Sequence, residues 1–443
     1  MGHGDDDRIS ALHDDLLGKI ISCLQVKEAA RTAALASRWR HLWRYTPLVL
    51  NDEHLPEPTR AAVVARVLAG HPGPFRTVHL RHCSSAFLSR ELPEWPRILA
   101  AKATQTLVFA NRNPSSAQPN SLCLPADILR CSSLEQLFLS FWTLPDQLPR
   151  IPVVFPFLQR LTMISITMSD QDLHHLIAAS PVLETLVVAC SIKHFHLRSQ
   201  SLRCVLAYLL EDFAVVEAPL LDRLIFLNPL HSVTADPVTV RIASTSSLRV
   251  LGYMDPKFHK LQINDNIIKH DTVASPSTVV PRIKILALKV NFSVLEEVKM
   301  VPSLLRCFPN VHTLHIQSVM CDSSKTAYEP TGDHHAKFWQ EASASPVECL
   351  RSHVKGMIFH QFRWHQNEFE FLKFVAKNAK ALQSLLLVLP KGKVADEVNE
   401  MIDKVGYPFF RAWTSKVSLV SPKVENDWSL KKASDITVDD PFR

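Results

Sequence analysis

The sequence predicts an α/β chain: a short helical module at the N-terminus, a curved solenoid of parallel strands, and a strand–helix–strand unit that caps it. Three observations carry this prediction. Asp7–Arg44 fits two amphipathic helical patterns and a Trp39-Leu42-Trp43 cluster into less than a tenth of the 443 residues. From Phe75 onward an apolar-x-x-Leu-x-apolar unit recurs. Beyond Pro346 the pattern reads as one more strand, helix and strand.

In the N-terminal module Leu12, Leu16, Leu17, Ile20, Ile21 and Leu24 fall on one side of a 3.6-period helix. Asp14 and Asp15 stand in its first turn, where carboxylates favour the positive end of the helix dipole. A second helix is expected over Val26–Ala36, which is rich in good helix formers. Trp39, Leu42 and Trp43 follow at i, i+3 and i+4, flanked by Arg38, Arg40 and Arg44. So short a segment cannot bury enough apolar surface alone. It is either a docking module or a helical subdomain folded onto its own chain.

The repeat appears as Phe75/Val78/Leu80, Leu134/Leu137/Leu139, Leu158/Leu161/Met163, Leu183/Leu186/Val188 and Leu202/Val205/Ala207. It continues as Leu221/Leu224/Phe226, Leu248/Leu251/Tyr253, Ile283/Leu286/Leu288, Val311/Leu314/Ile316 and Leu382/Leu385/Leu387, with a weaker copy at Leu107. Central residues 137, 161 and 186 are 24 and 25 apart, and 78, 107 and 137 are 29 and 30 apart. These periods lie in or just above the leucine-rich-repeat window of about 20–29 residues. Each unit supplies a short strand and a return segment, and neighbours must stack to bury their faces. Pro181, Pro219 and Pro309 punctuate the returns. Longer returns are expected at 255–282 and 320–380. Asn111–Asn120 and Cys321–Pro346 read as a loop and a linker, and Ser421–Arg443 as a polar tail for which Trp428 offers an anchor. In the cap, Cys349–Phe359 is expected as a strand, Glu368–Ala379 as a helix and Leu382–Leu389 as a strand.

The N-terminal letters resemble a plant-type F-box. Asp7, Arg8, Ile9, Ser10, Leu12, Asp14, Leu16, Leu17, Ile20, Leu24, Lys27, Glu28, Ala29, Arg31, Thr32, Arg38, Trp39, Arg40, Leu42 and Trp43 match in order without a gap. His13 and Gln25 depart from it, since the family usually has proline at both positions. Glu370, Phe371, Leu372, Lys373, Phe374, Asn378 and Ala379 resemble the FBD region that follows leucine-rich repeats in plant F-box proteins. The resemblance implies an F-box over 5–50, repeats over 70–320, a linker over 321–345, an FBD-like cap over 346–420 and a polar tail over 421–443. It implies that Leu12, Leu16, Leu17, Ile20, Ile21, Leu24, Val26, Ala29, Leu35, Trp39, Leu42 and Trp43 form the F-box core and the contact with a Skp-type adaptor of a cullin-RING ubiquitin ligase. The repeats would bind a target protein whose identity is unknown. Alternatives are a non-degradative scaffold with a weakened F-box and a small-ligand sensor. Removal of residues 1–50 is expected to leave the repeats folded.

Other function classes find little support. Ten glycines are about 2% of the chain against a usual 7% or so, and no phosphate-cradling glycine motif occurs. Nine scattered cysteines without a Cys-x-x-Cys pair point to reduced thiols in the cytoplasm or nucleus. No apolar run approaches the roughly 18 residues of a membrane span, and no signal peptide opens the chain. The net charge of +6 is dispersed, so no nucleic-acid partner is expected. His174-His175, His194-x-His196 and His334-His335 invite a metal, but no carboxylate or thiol stands at ligand spacing. No metal, cofactor or catalytic residue is expected, and the chain is read as a non-enzymatic subunit.

Overall fold

Leucines one coil apart in sequence become neighbours when each coil contributes one short strand. That stacking organises the computed structural model, which describes residues 9, 11–83, 94–111, 122–146, 148–150, 152–227, 237–243, 246–320, 332–390, 417–420 and 429–443. The chain divides into two units, 1–192 and 193–443.

The first unit begins with helices α1 (Asp14–Cys23), α2 (Val26–Thr32) and α3 (Ser37–Tyr45) and strand β1 (Leu48–Asn51). The second helix therefore stops four residues before the expected Ala36. There follow α4 (Arg60–Gly70), β2 (Phe75–Leu80), α5 (Trp95–Ala101), β3 (Thr106–Ala110), β4 (Gln136–Ser140), β5 (Arg160–Ile164), α6 (Asp170–Ala178) and the start of β6 (Thr185–Arg198), which runs on past residue 192. β1 to β6 pair in chain order and in parallel. The register aligns Leu50, Val78, Leu107, Leu137, Leu161 and Leu186 in one row, none more than 2% exposed. Fully burying each such side chain is worth about 1.5–3 kcal/mol.

Two backbone devices repeat along the stack. The prolines of the returns sit second in a tight turn: Leu183 N–H donates to Ser180 C=O at 3.2 Å, and Leu221 and Val311 do the same to Ala218 and Phe308. Proline presets the φ that this turn position needs. Each coil then hangs on one carbonyl of its predecessor. Glu135 and Gln136 N–H both donate to Gln105 C=O, and Gln159 with Arg160 share Glu135 C=O in the same way.

β1 bears on the expectation that the repeats stay folded without residues 1–50. Three of the four residues of the first strand of the stack, Leu48–Asn51, lie within residues 1–50, so removing them would take from β2 one of its two neighbours and leave β3 as the other.

The second unit carries β7 (Cys204–Glu217), β8 (Arg223–Phe226), β9 (Val238–Ile242), β10 (Val250–Met254), β11 (His259–Ile263), β12 (Asn266–Ile267) and β13 (Ile285–Val290). It continues with α7 (Leu295–Cys307), β14 (Thr313–Ser318), α8 (Gly332–Ala342), β15 (Gly356–His360), α9 (Gln366–Asn378), β16 (Ser384–Val388), β17 (Val417–Val420) and α10 (Leu430–Ala433). β7, β8, β10, β13, β14, β15, β16 and β17 stack in parallel. Their register aligns Val205, Leu224, Leu251, Leu286, Leu314, Met357 and Leu385, all fully buried. The long return expected at 255–282 holds two strands instead. The far half of β7 pairs with β9, β9 with β11, and β12 folds back antiparallel on β11.

In the cap, Cys349–His353 forms a wide helical turn and the strand starts only at Gly356. A short apolar run does not distinguish strand from helix by periodicity. Gln366–Asn378 and Ser384–Val388 realise the other two elements within two residues of the expected bounds. Residues 332–342, read as linker, are helical. Trp339 of that helix is buried and packs on Phe374 with ring centroids 4.6 Å apart and on Phe371 at 5.3 Å. Within the expected polar tail Phe442 is only 3% exposed. Residues 112–120, 321–331 and Trp428 lie outside the described residues; Asn111 is buried, its side-chain amide donating to Phe141 C=O at 2.9 Å. Among the described residues no helix is long and apolar enough to cross a membrane.

Among the core's buried ionisable groups one carries a clear pH signature. Glu297 at the start of α7 is 8% exposed and accepts from Asn291 N–H at 2.9 Å. Burial pushes its carboxyl up to about 7, with Asp255 adding to the rise. The folded carboxyl holds its proton more tightly than the unfolded one. Its contribution is therefore intact below the unfolded value and lost as pH rises toward the folded one. Glu297→Gln should leave stability nearly unchanged at pH 4.5 and raise it by about 3 kcal/mol at pH 7.5. Urea unfolding at the two pH values checks this; a gap that does not open with pH would contradict it.

Candidate functional site

Of the six apolar positions expected on the first helix, Leu12 and Leu24 flank α1, and at about 100° per residue Leu16, Leu17, Ile20 and Ile21 cover an arc of about 140°. A single neighbouring surface cannot cover so wide an arc, and the structure splits it. Leu17 and Ile21, at one end of the arc, are fully buried. α1 packs there against α3 and β1. Leu16 and Ile20, one turn apart toward the other end, are 46% and 41% exposed. Leu12 and Leu24 are half-buried.

The remaining expected residues divide likewise. Ala29 of α2 is fully buried and Trp39 of α3 is 4% exposed. Val26, Leu42 and Trp43 are half-buried. Leu35, in the turn between α2 and α3, is 69% exposed. Ile9 is exposed too, and it was matched in the sequence without being assigned to the site. Twelve residues read as one group are thus a small core plus an open apolar face.

Trp43 also joins the module to the first repeat. Its ring stacks on His71, with centroids 5.2 Å apart and planes at 29°, and His71 meets Phe75 edge-on. His71 is buried, and burial with the nearby Lys102 charge lowers its pKa, which keeps it neutral. Gly73 is required at this junction, since a Cβ there would lie 2.4 Å from Arg44 C=O.

Arg38 is a positioning residue that sequence reasoning matched without giving it a role. Its guanidinium donates to the Asp14 carboxylate at 2.6 Å and to Leu12 C=O at 2.7 Å, tying α3 to the start of α1. The pair is partly exposed, so its worth is at most about 1 kcal/mol. His13 caps α1, its ring nitrogen accepting from Asp15 N–H at 3.4 Å. Its φ is −65° and that of Gln25 is −69°, both values that proline would hold.

Elsewhere the histidine pairs divide between members with ordinary partners and members with a buried ring nitrogen, His175 Nε2 and His335 Nδ1, that has no hydrogen-bond partner among the described residues. His196 contacts Asp212 at 2.8 Å, a carboxylate that Arg241 also engages at 2.6 Å. That carboxylate, sixteen residues away on the paired strand, has no signal in local spacing. His174 bonds Asp170 C=O within its own helix, and His335 is buried. Among the described residues no three His, Cys, Asp or Glu side chains are grouped to hold a metal. Burial pushes the thiols of Cys204, Cys307 and Cys349 up to about 12 and that of Cys190 to about 11, so none is a thiolate at neutral pH.

The partition predicts opposite outcomes for neighbouring residues. Trp39→Ala should destabilise the first unit by about 3–5 kcal/mol. Leu16→Ser and Ile20→Ser should stay within about 0.5 kcal/mol of the parent. Thermal unfolding of the three variants checks this, and equal losses at all three would contradict the division.

Comparison with known proteins agrees with this geometry. An F-box domain model matches residues 9–51, a leucine-rich-repeat model described from the FBD-associated F-box protein At5g56370 matches 92–316, and an FBD model matches 341–387. A putative FBD-associated F-box protein of Arabidopsis thaliana, At3g50710, is 26% identical over 89% of this chain and 96% of its own length. A second from the same plant, At5g60610, is 26% identical over 85% of this chain and 98% of its own length. The F-box/LRR-repeat protein At3g26922 reaches 31% identity over 42% of this chain and 61% of its own length. With its helical module built into the first strand of the stack and its final coils matching the FBD region, the chain belongs to the FBD-associated F-box proteins with leucine-rich repeats.

Proposed function

We propose that this chain is a non-catalytic substrate-receptor subunit of a cullin-RING ubiquitin ligase. F-box domains generally bind Skp-type adaptors of such ligases. The observation that carries the reading is the open half of α1. Leu16 and Ile20 stand exposed while their neighbours Leu17 and Ile21 hold the fold. Apolar side chains left out of a core, on a helix fixed by that core, suit a partner surface. The adaptor contact then comprises Leu16, Ile20, Leu35 and Ile9, with Leu12 and Leu24 at its border. The proline-compatible backbone at His13 and Gln25 favours a competent F-box over a decayed one. The mechanism is proximity: the repeats hold a target protein, and the ligase raises the effective concentration of its lysines near a charged ubiquitin-conjugating enzyme. The scattered cysteines suit a reducing compartment, the cytoplasm or nucleus.

Surface plasmon resonance of the full chain against a plant Skp-type adaptor tests the reading. Submicromolar binding is expected, and Leu16→Asp/Ile20→Asp should weaken it at least about 100-fold with an unchanged melting temperature. His13→Pro/Gln25→Pro should change affinity by only about threefold. Absence of binding by the parent chain, or full binding by the double aspartate variant, would overturn the proposal.

A further inference from the structure

A repeat strand buries one row of side chains in the core and leaves the alternate row on the opposite face. In the first unit that alternate row is partly open: His79, Phe138 and Thr162 are all half-exposed. In the second unit it is closed. Arg223 and Ile225 of β8, Ala287 of β13 and His315 of β14 are fully buried, although each alternates with a row residue. What closes it is a segment of the same chain, residues 429–443.

The segment engages the face through three different chemistries. Arg223 donates to three peptide carbonyls of the segment: Asp435 at 2.8 Å, Ile436 at 3.3 Å and Val438. A guanidinium with no exposed surface needs acceptors, and peptide carbonyls supply them whatever their side chains. Phe442 fills the space above Gly252, where a Cβ would come 2.5 Å from its ring, and it packs edge-on to Tyr253 at 5.0 Å. Asp440 bonds His315 at 3.1 Å and turns back to accept from Phe442 N–H at 3.1 Å. The segment sits there as one helical turn, Leu430–Ala433, followed by tight turns at Asp435–Val438 and Asp440–Phe442. A backbone clamp, an aromatic hole and a carboxylate partner are the parts of a site that reads such a folded-back peptide.

We propose that this face is a peptide-binding groove, held by residues 429–443 in place of a target. Its external partner is a protein that presents a turn-forming segment with an acidic residue two positions before an aromatic one, as in Asp440-Pro441-Phe442, where the carboxylate accepts from the aromatic residue's own N–H. The proposal rests on the reading of the repeats as the target-binding surface. Arg223 supplies affinity independent of sequence. Gly252 and His315 supply the choice: the missing side chain at 252 admits a ring, and the imidazole at 315 favours a carboxylate. Self-occupation lowers the affinity for every target by the fraction of time the segment is seated, so only a segment that fits better, or is presented at high local concentration, displaces it.

The test introduces a protease site into residues 421–428 of the full chain, so that folding occurs with the segment in place. After cleavage, a fluorescent peptide with the sequence of residues 429–443 is added and its uptake is read by anisotropy. The cleaved chain is expected to exchange its own segment for the peptide. The uncleaved chain should take up at least tenfold less. Peptides carrying Phe442→Ala or Asp440→Ala should bind at least tenfold more weakly, and Gly252→Ala in the chain should have a similar effect. Failure of the cleaved, folded chain to exchange, equal uptake of the altered peptides, or unfolding on loss of the segment would each overturn the proposal, the last by making the segment a structural stave. Adaptor binding by the same cleaved sample separates the two readings. Adaptor binding without exchange removes the groove and keeps the receptor, and exchange without adaptor binding does the reverse.

Discussion

One constraint governs this chain: no coil can bury its apolar face without the next. The row from Leu50 to Leu186 in the first unit and the row from Val205 to Leu385 in the second are the same device, one side chain per coil at one register position. Because each carbonyl before a strand holds two N–H groups of the following coil, a register slip costs hydrogen bonds as well as burial. The returns between rungs are free to differ so long as they come back to the same position. That freedom lets one coil close with a short 3₁₀ turn at Ala126–Arg130 and another with the thirteen-residue helix α7.

The helical module obeys the same constraint. Alone it could not satisfy its apolar arc, so β1 extends it into the stack as the first rung and Trp43 stacks against His71. This anchorage holds α1 at a fixed angle to the strands of its unit. One side of α1, with Leu17 and Ile21, is consumed by packing, and the other leaves Leu16 and Ile20 exposed.

In the second unit burial extends to both faces of the strands, and polar groups pay for it. Arg223 requires three carbonyls, and Glu297 is held with its carboxyl raised to about 7. Such groups are costly in a purely structural layer. Arg223 is the informative one, because its acceptors come from a segment more than two hundred residues away in sequence.

By itself the sequence determined the periodic parts of this protein. Row residues such as Leu137, Leu161 and Leu286 repeat at coil spacing and announce their strands, and the F-box and FBD letters match at fixed offsets. Those signals are local, or repeat at a nearly constant interval, so reading them needs no knowledge of what packs on what. Only the tertiary structure decided the rest. The apolar arc of α1 looks uniform in sequence, and the packing of α3 and β1 against one end of it separates Leu17 and Ile21 from Leu16 and Ile20. Residues 332–342 and 429–443 read as linker and tail because their composition is polar. Trp339 and Phe442 gain their partners, Phe374 and Tyr253, from distant coils. Burial of an isolated aromatic is a property of the surface it meets, and that surface exists only once the rows have stacked.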